Sequence, residues 1–169
     1  MKGKWAQGIV PRNFAWVLKD RLAVSERLGG YGESHRRVRR QEEIIWAQQQ
    51  GFTCIVSLLA SPHNLHAYEE AGMPAVHIPF TAGEESAELL TSLYGELHTR
   101  LGAGEQLLVH QEEVSDTLQG AVAGYLVHAG MVPEPPRAIA MLEHLVHRQM
   151  GPTGRRLVTI AARLTPAGG

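Results

Sequence analysis

Between an apolar run, Leu107 to Val109, and a helical pattern carrying Leu118, Val122, Ala123, Tyr125 and Leu126 lies a polar stretch: His110, Gln111, Glu112, Glu113, Val114, Ser115, Asp116 and Thr117. The apolar spacing predicts a buried strand, a loop and then a helix. A loop in that place offers backbone N–H groups and the positive end of the helix to an anion, which is why the geometry so often cradles phosphate. This loop instead holds three acids and no Lys or Arg. Ser115 could act as a nucleophile with His110 as its base, although Glu112, Glu113 and Asp116 would repel an anionic substrate. The same three carboxylates could serve as acid or base in an enzyme of different chemistry. More simply, they stabilise the helix start through its dipole, with Asp116 at the N-cap and Gln119 three positions later completing a capping box.

Two further groups carry chemistry outside the loop. His63, His66 and Glu70 stand at i, i+3 and i+7, a spacing that can share a helix face and ligate a metal, and His144 with His147 repeats the HxxH spacing. HxxH without a third assigned ligand is weak, and no metal is expected. Arg36, Arg37, Arg39 and Arg40 crowd the start of another helical pattern. They read as a solvated face pairing with Glu42 and Glu43, or as the surface that would meet an acidic partner.

These residues need elements to hold them. Phe14, Trp16 and Leu18, then Leu22 and Val24, alternate around a Lys19-Asp20 turn and predict a hairpin. Glycines 29, 30 and 32 precede a helix from about Ser34 to Gln50, which Gly51 ends. Phe52 to Leu59 is an apolar run of the kind buried on both faces of a covered sheet. A short helix to Ala71, a strand near Ala75 to Ile78 and a turn around Thr81 to Gly83 follow. Leu89, Leu90, Leu93, Leu97 and Leu101 then line one helix face, closed by Gly102 and Gly104. Beyond the central loop and its helix, Gly130 and the prolines 133, 135 and 136 introduce a helix running to about Met150. The pattern Leu157, Val158, Ile160, Ala161 and Leu164 closes the chain. Such alternation indicates a layered α/β domain.

His110, Ala123, Tyr125 and Leu126 also carry a resemblance. A strand ending in HCxxGxxR and a helix continuing to AxYL mark the protein-tyrosine and dual-specificity phosphatases, and the chain is most similar to their small atypical members. Matched position by position, the family's nucleophilic Cys falls on Gln111, its loop Gly on Val114, its phosphate-binding Arg on Thr117 and its following Gly on Gln119. The segments NFAWVLKDRLA, GFTCIVSLLASP, MPAVHIPF and GYLVHAGMVPEPPRAIAML resemble family segments in the family's order, from Asn13 to about Arg148. A general-acid Asp would follow HIPF, where Phe80, Thr81, Ala82 and Gly83 stand. The resemblance implies the cysteine-phosphatase fold, a short, mostly parallel central sheet flanked by helices. With nucleophile, Arg and acid all replaced, it implies a catalytically inactive member, a pseudophosphatase that works by binding a protein or by self-assembly. An enzyme using the loop carboxylates, and a residual phosphatase, remain the alternatives.

Composition sets the outer bounds. At 169 residues, 44% hydrophobic and 20% charged, one globular domain over residues 1–169 is expected, with an irregular opening segment at 1–12 and a loose tail at 165–169. A net charge of −1 gives no global attraction to nucleic acid or anionic membrane, and neither is expected as a partner. Cys54 is the single cysteine, so no internal disulfide can form; its apolar setting predicts a buried thiol. No signal-type or membrane-spanning run is visible, making the cytoplasm the expected compartment, and no cofactor is expected.

Overall fold

The computed structural model describes residues 8–30 and 32–164, so most of the opening segment, Tyr31 and the tail at 165–169 lie outside the described residues. The hairpin forms as read, with β1 (Ala15–Leu18) and β2 (Leu22–Ser25) antiparallel across a turn where Asp20 takes a left-handed φ of 62°. A short 3₁₀ turn (Gly32–Ser34) leads into α1 (Arg37–Gln49), followed by β3 (Cys54–Ser57), α2 (Leu65–Glu70) and β4 (Ala75–His77). Then come α3 (Ser86–Gly102), β5 (Leu107–His110), α4 (Asp116–His128), α5 (Pro135–Val146) and α6 (Pro152–Arg163). The five strands form one sheet in the order β1-β2-β5-β3-β4, and every pairing except β1 with β2 is parallel. This is a layered α/β arrangement, as the alternation of elements predicts, with the mostly parallel sheet that the resemblance implies.

Every residue of β2, β3 and β5 is buried, which explains why β3 and β5 read as unbroken apolar runs; β2, whose Leu22 and Val24 alternate in sequence, is buried on both faces as well. The register brings Ser25, His110 and Ser57 side by side at the carboxyl ends of these strands. The chain divides into two compact units, residues 1–79 with 104–114, and residues 80–103 with 115–169. In the first, α1 and α2 bury Ile44, Ala47 and Tyr68 against Ala23, Ile55 and Leu108 of the sheet. Phe14, Trp16, Trp46 and Phe52 extend that core, with the Phe14 ring edge-on to Trp46 at 4.8 Å and Trp16 stacked on Phe52 at 5.1 Å. Cys54 is fully buried here.

The second unit is helical. Its α4 and α6 approach closely enough that a Cβ on Gly120 would lie 2.4 Å from Gly154 Cα, so glycine is required there by backbone contact. Helix α5 departs from the sequence reading, stopping at Val146 rather than about Met150. His147 turns left-handed (φ 56°), and the Met150 N–H then donates to Glu143 Oε2 at 2.7 Å, a side-chain bond that replaces the helical ladder. Among the described residues, no helix is long and apolar enough to cross a membrane.

Candidate functional site

The loop after β5 begins in the first unit, where His110 ends the strand with its ring fully buried. Its Nδ1 lies 3.1 Å from the Gln111 carbonyl oxygen, which can only accept, so Nδ1 carries the proton and Nε2 is left as an acceptor. The Tyr68 hydroxyl donates to that Nε2 at 3.0 Å. Tyr68 Oη in turn accepts from the Asn64 amide at 3.2 Å, and the same amide donates to the Leu28 carbonyl at 2.8 Å. Asn64 Oδ1 receives Arg27 Nε and Nη2, both at 3.2 Å, and Arg40 Nη1 at 3.5 Å. A continuous chain of polar contacts thus runs from Gln111 back to two arginines. Burial pulls the His110 pKa down to about 4 and pushes that of the Tyr68 phenol up, so neither group is charged near neutrality.

Arg27 also holds the loop directly. Its backbone N–H donates to the Glu112 carbonyl at 3.2 Å, and its Nη1 stands 3.7 Å from Glu112 Oε2, an ion-pair separation too long for a hydrogen bond. Glu113 is exposed and Val114 buried. Both ring nitrogens of His110 are thus engaged, Nε2 by the Tyr68 hydroxyl and Nδ1 by the Gln111 carbonyl.

The remainder of the loop belongs to the second unit, and here the sequence reading is off by one residue. Ser115, not Asp116, is the N-cap of α4, and its hydroxyl oxygen accepts from the Leu118 N–H at 3.3 Å. Asp116 occupies the first helical position, and its Oδ1 accepts from the Gly151 N–H at 2.7 Å, immediately before α6. Gln119 does not close a capping box. It is buried, and neither its amide nitrogen nor its carbonyl oxygen finds a partner among the described residues. Thr117 follows Asp116 into the first turn, half-buried.

The four arginines separate. Arg36 precedes α1 and donates to the backbone carbonyls of Glu33 and His35 at 2.8 and 3.0 Å. Arg39 pairs with Glu43 at 2.6 Å, and Glu43 is buried and also accepts from the Gly29 N–H at 3.3 Å. Arg37 and Arg40 face a cleft between α1 and α2. Of the histidine group, His66 pairs with Glu70 at 2.9 Å, while His144 and His147 stand with ring centroids 6.4 Å apart. Among the described residues, no three His, Cys, Asp or Glu side chains are grouped to hold a metal ion.

Sequence reasoning missed Arg27, Asn64 and Tyr68, the residues that lock His110. Arg27 lies in a different segment from the other two, and Asn64 and Tyr68, four residues apart at the start of α2, carry no motif that points to His110. The one local signal is Asn64, a residue type that tolerates the left-handed φ of 72° it adopts before α2.

No protein-family model and no curated protein sequence matches the chain. Solved structures do. A kinase-associated phosphatase carrying serine in place of its catalytic-site cysteine is 19% identical with a TM-score of 0.74, the match covering 92% of this chain and 99% of that one. Tk-PTP in its active form is 17% identical with a TM-score of 0.69, over 90% of this chain and 98% of that one. Human DUSP28 is 14% identical with a TM-score of 0.66, over 92% and 96%. At such identities the likeness concerns the fold alone, and that fold is the cysteine-phosphatase one, a mostly parallel central sheet flanked by helices.

Proposed function

We propose that this chain is a cysteine-phosphatase fold without phosphatase chemistry, a pseudophosphatase that acts by binding a protein or a second copy of itself. One observation carries the reading: on the strand–loop–helix that would present the nucleophile, position 111 is glutamine and position 117 is threonine. Hydrolysis of a phosphate monoester through a covalent intermediate needs a nucleophile of depressed pKa, fixed donors for the phosphoryl oxygens and an acid for the leaving group. A glutamine amide is not such a nucleophile, and a threonine hydroxyl does not replace a bidentate, permanently charged guanidinium.

The alternatives draw less support from the surroundings of the loop. Ser115 uses its hydroxyl oxygen as a helix cap, and the neutral His110 ring already accepts from Tyr68. Asp116 is committed to Gly151 N, and Glu112 lies against Arg27, so two of the three carboxylates serve structure. The cytoplasm remains the compartment we assign, with neither nucleic acid nor membrane as partner.

Turnover of a small aryl phosphate by the purified chain tests the proposal. The expected rate equals that of a Gln111→Ala control and of buffer. A rate above the Gln111→Ala control would overturn the inactive reading and return the residual phosphatase.

A further inference from the structure

Arg37 and Arg40, one turn apart on the same face of α1, line a cleft of about 360 Å³ whose remaining walls are Gln41, Ile44, Ile45, Ala67, Glu70 and Ala71. Ile44, Ile45, Ala67 and Ala71 make most of the wall apolar. The two cations at its rim are poorly satisfied. Among the described residues, the Arg37 side chain makes no hydrogen bond or ion pair, and the buried Arg40 Nε meets no acceptor. Among the described residues, the Arg40 side chain hydrogen-bonds through a 3.5 Å contact to Asn64 Oδ1, an oxygen it shares with Arg27. Of the nearby carboxylates, Glu43 is engaged by Arg39 and Gly29 N, while Glu70 lines the cleft itself and stands 2.9 Å from His66 Nε2. The lining therefore carries two guanidinium groups against one carboxylate. Burial lowers the Arg40 pKa, and the neighbouring cations Arg37 and Arg27 lower it further, with Tyr68 and Glu70 offsetting part of that, so positive charge is crowded at this rim.

An anion at this rim would relieve that crowding and supply the missing acceptor, while the wall behind it would take an aliphatic group. Resting on the reading of the chain as a binding domain, we propose that the α1–α2 cleft docks an acidic peptide segment of a partner protein, seating a carboxylate between Arg37 and Arg40 and a neighbouring aliphatic side chain against Ile44, Ile45 and Ala67. The volume suits one side chain of each kind; it lies at the lower end of the range of ordinary ligand sites. Arg36 and Arg39, tied elsewhere, take no part.

The probe is a fluorescein-labelled peptide mixing glutamate and leucine, followed by fluorescence anisotropy at low salt. Two companion peptides replace every glutamate by glutamine, or every leucine by serine. Saturable binding of the glutamate–leucine peptide is expected, with each companion weaker by roughly tenfold or more. Arg37→Glu, an exposed change, should weaken binding about tenfold or more, and Ala71→Trp, which fills the cleft from its exposed edge, should abolish it. Both variants should keep the parent melting temperature. Absence of binding, equal binding of the serine companion, or binding indifferent to both substitutions would each overturn the cleft assignment. None of these outcomes bears on the aryl phosphate assay, so the loss of catalysis and the place of docking stand or fall separately.

Discussion

His110 ends β5 with its ring fully buried. Its identity and its position at the end of β5 match the phosphatase signature, yet the ring is held by Tyr68 Oη on one nitrogen and Gln111 O on the other. The folded chain keeps it neutral, with a pKa near 4, whereas an unfolded chain would titrate near 6.5. Because the folded value is depressed, the unfolded state binds more protons between those two values, and stability falls as pH drops from about 6.5 towards 4. At pH 5 the loss attributable to this ring is about 2 kcal/mol. Burial lowers the His35 and His128 pKa values too, so they add the same sign. Urea unfolding at pH 7 and pH 5, compared between the wild type and His110→Gln, isolates the His110 share. An equal pH dependence in the two proteins would mean that the ring is not held neutral.

At the scale of elements, the junction from loop to α4 contains two adjacent residues of good capping type, and sequence alone favoured the wrong one. Ser115 and Asp116 both satisfy the local rule, and Asp116 has glutamine three positions on. What decides between them is a donor 35 residues away: Gly151 N, at the start of α6, takes the Asp116 carboxylate and leaves the α4 cap to Ser115. No local pattern contains that information. The same pairing places a negative charge at the positive end of α6, and a Cβ on Gly154 would meet Asp116 Oδ1 at 2.4 Å, so the carboxylate rests on the first turn of α6. Two stability changes follow with separate causes. Ser115→Ala should cost about 1 kcal/mol through the lost α4 cap. Asp116→Ala should cost about 1–2 kcal/mol through a charge-assisted bond to α6, and Asp116→Asn should recover part of it. Thermal unfolding with amide exchange at Gly151 checks the assignment: exchange there should speed up in Asp116→Ala and stay unchanged in Ser115→Ala.

At the scale of the whole molecule, the parts of the fold that were legible are those set by burial. The apolar runs of β3 and β5, the alternation in the β1–β2 hairpin and the leucine face of α3 each follow the spacing that burial of the element imposes. The polar interior was not legible, because Arg27, the Asn64–Tyr68 pair at the start of α2 and His110 meet only through folding and no periodicity records hydrogen bonds between distant segments. That interior bears on what the folded chain can bind. A phosphate-cradling loop needs free donors and an arginine, whereas here Ser115 Oγ accepts from the first turn of α4, threonine stands at 117 and three acids lie within five residues. A ligand stabilises only the state it binds, and at a hundredfold excess over its Kd the gain is about 2.7 kcal/mol, enough to move the melting point by several degrees. Millimolar vanadate should therefore leave the melting temperature unchanged wherever only the loop is available to it. Arg37 and Arg40 offer an oxyanion a second place, so the measurement belongs in the Arg37→Glu background. A saturable rise that persists there and vanishes in Ser115→Ala or Thr117→Ala would show that the loop still receives an oxyanion, and the loss of phosphate recognition would have to be withdrawn.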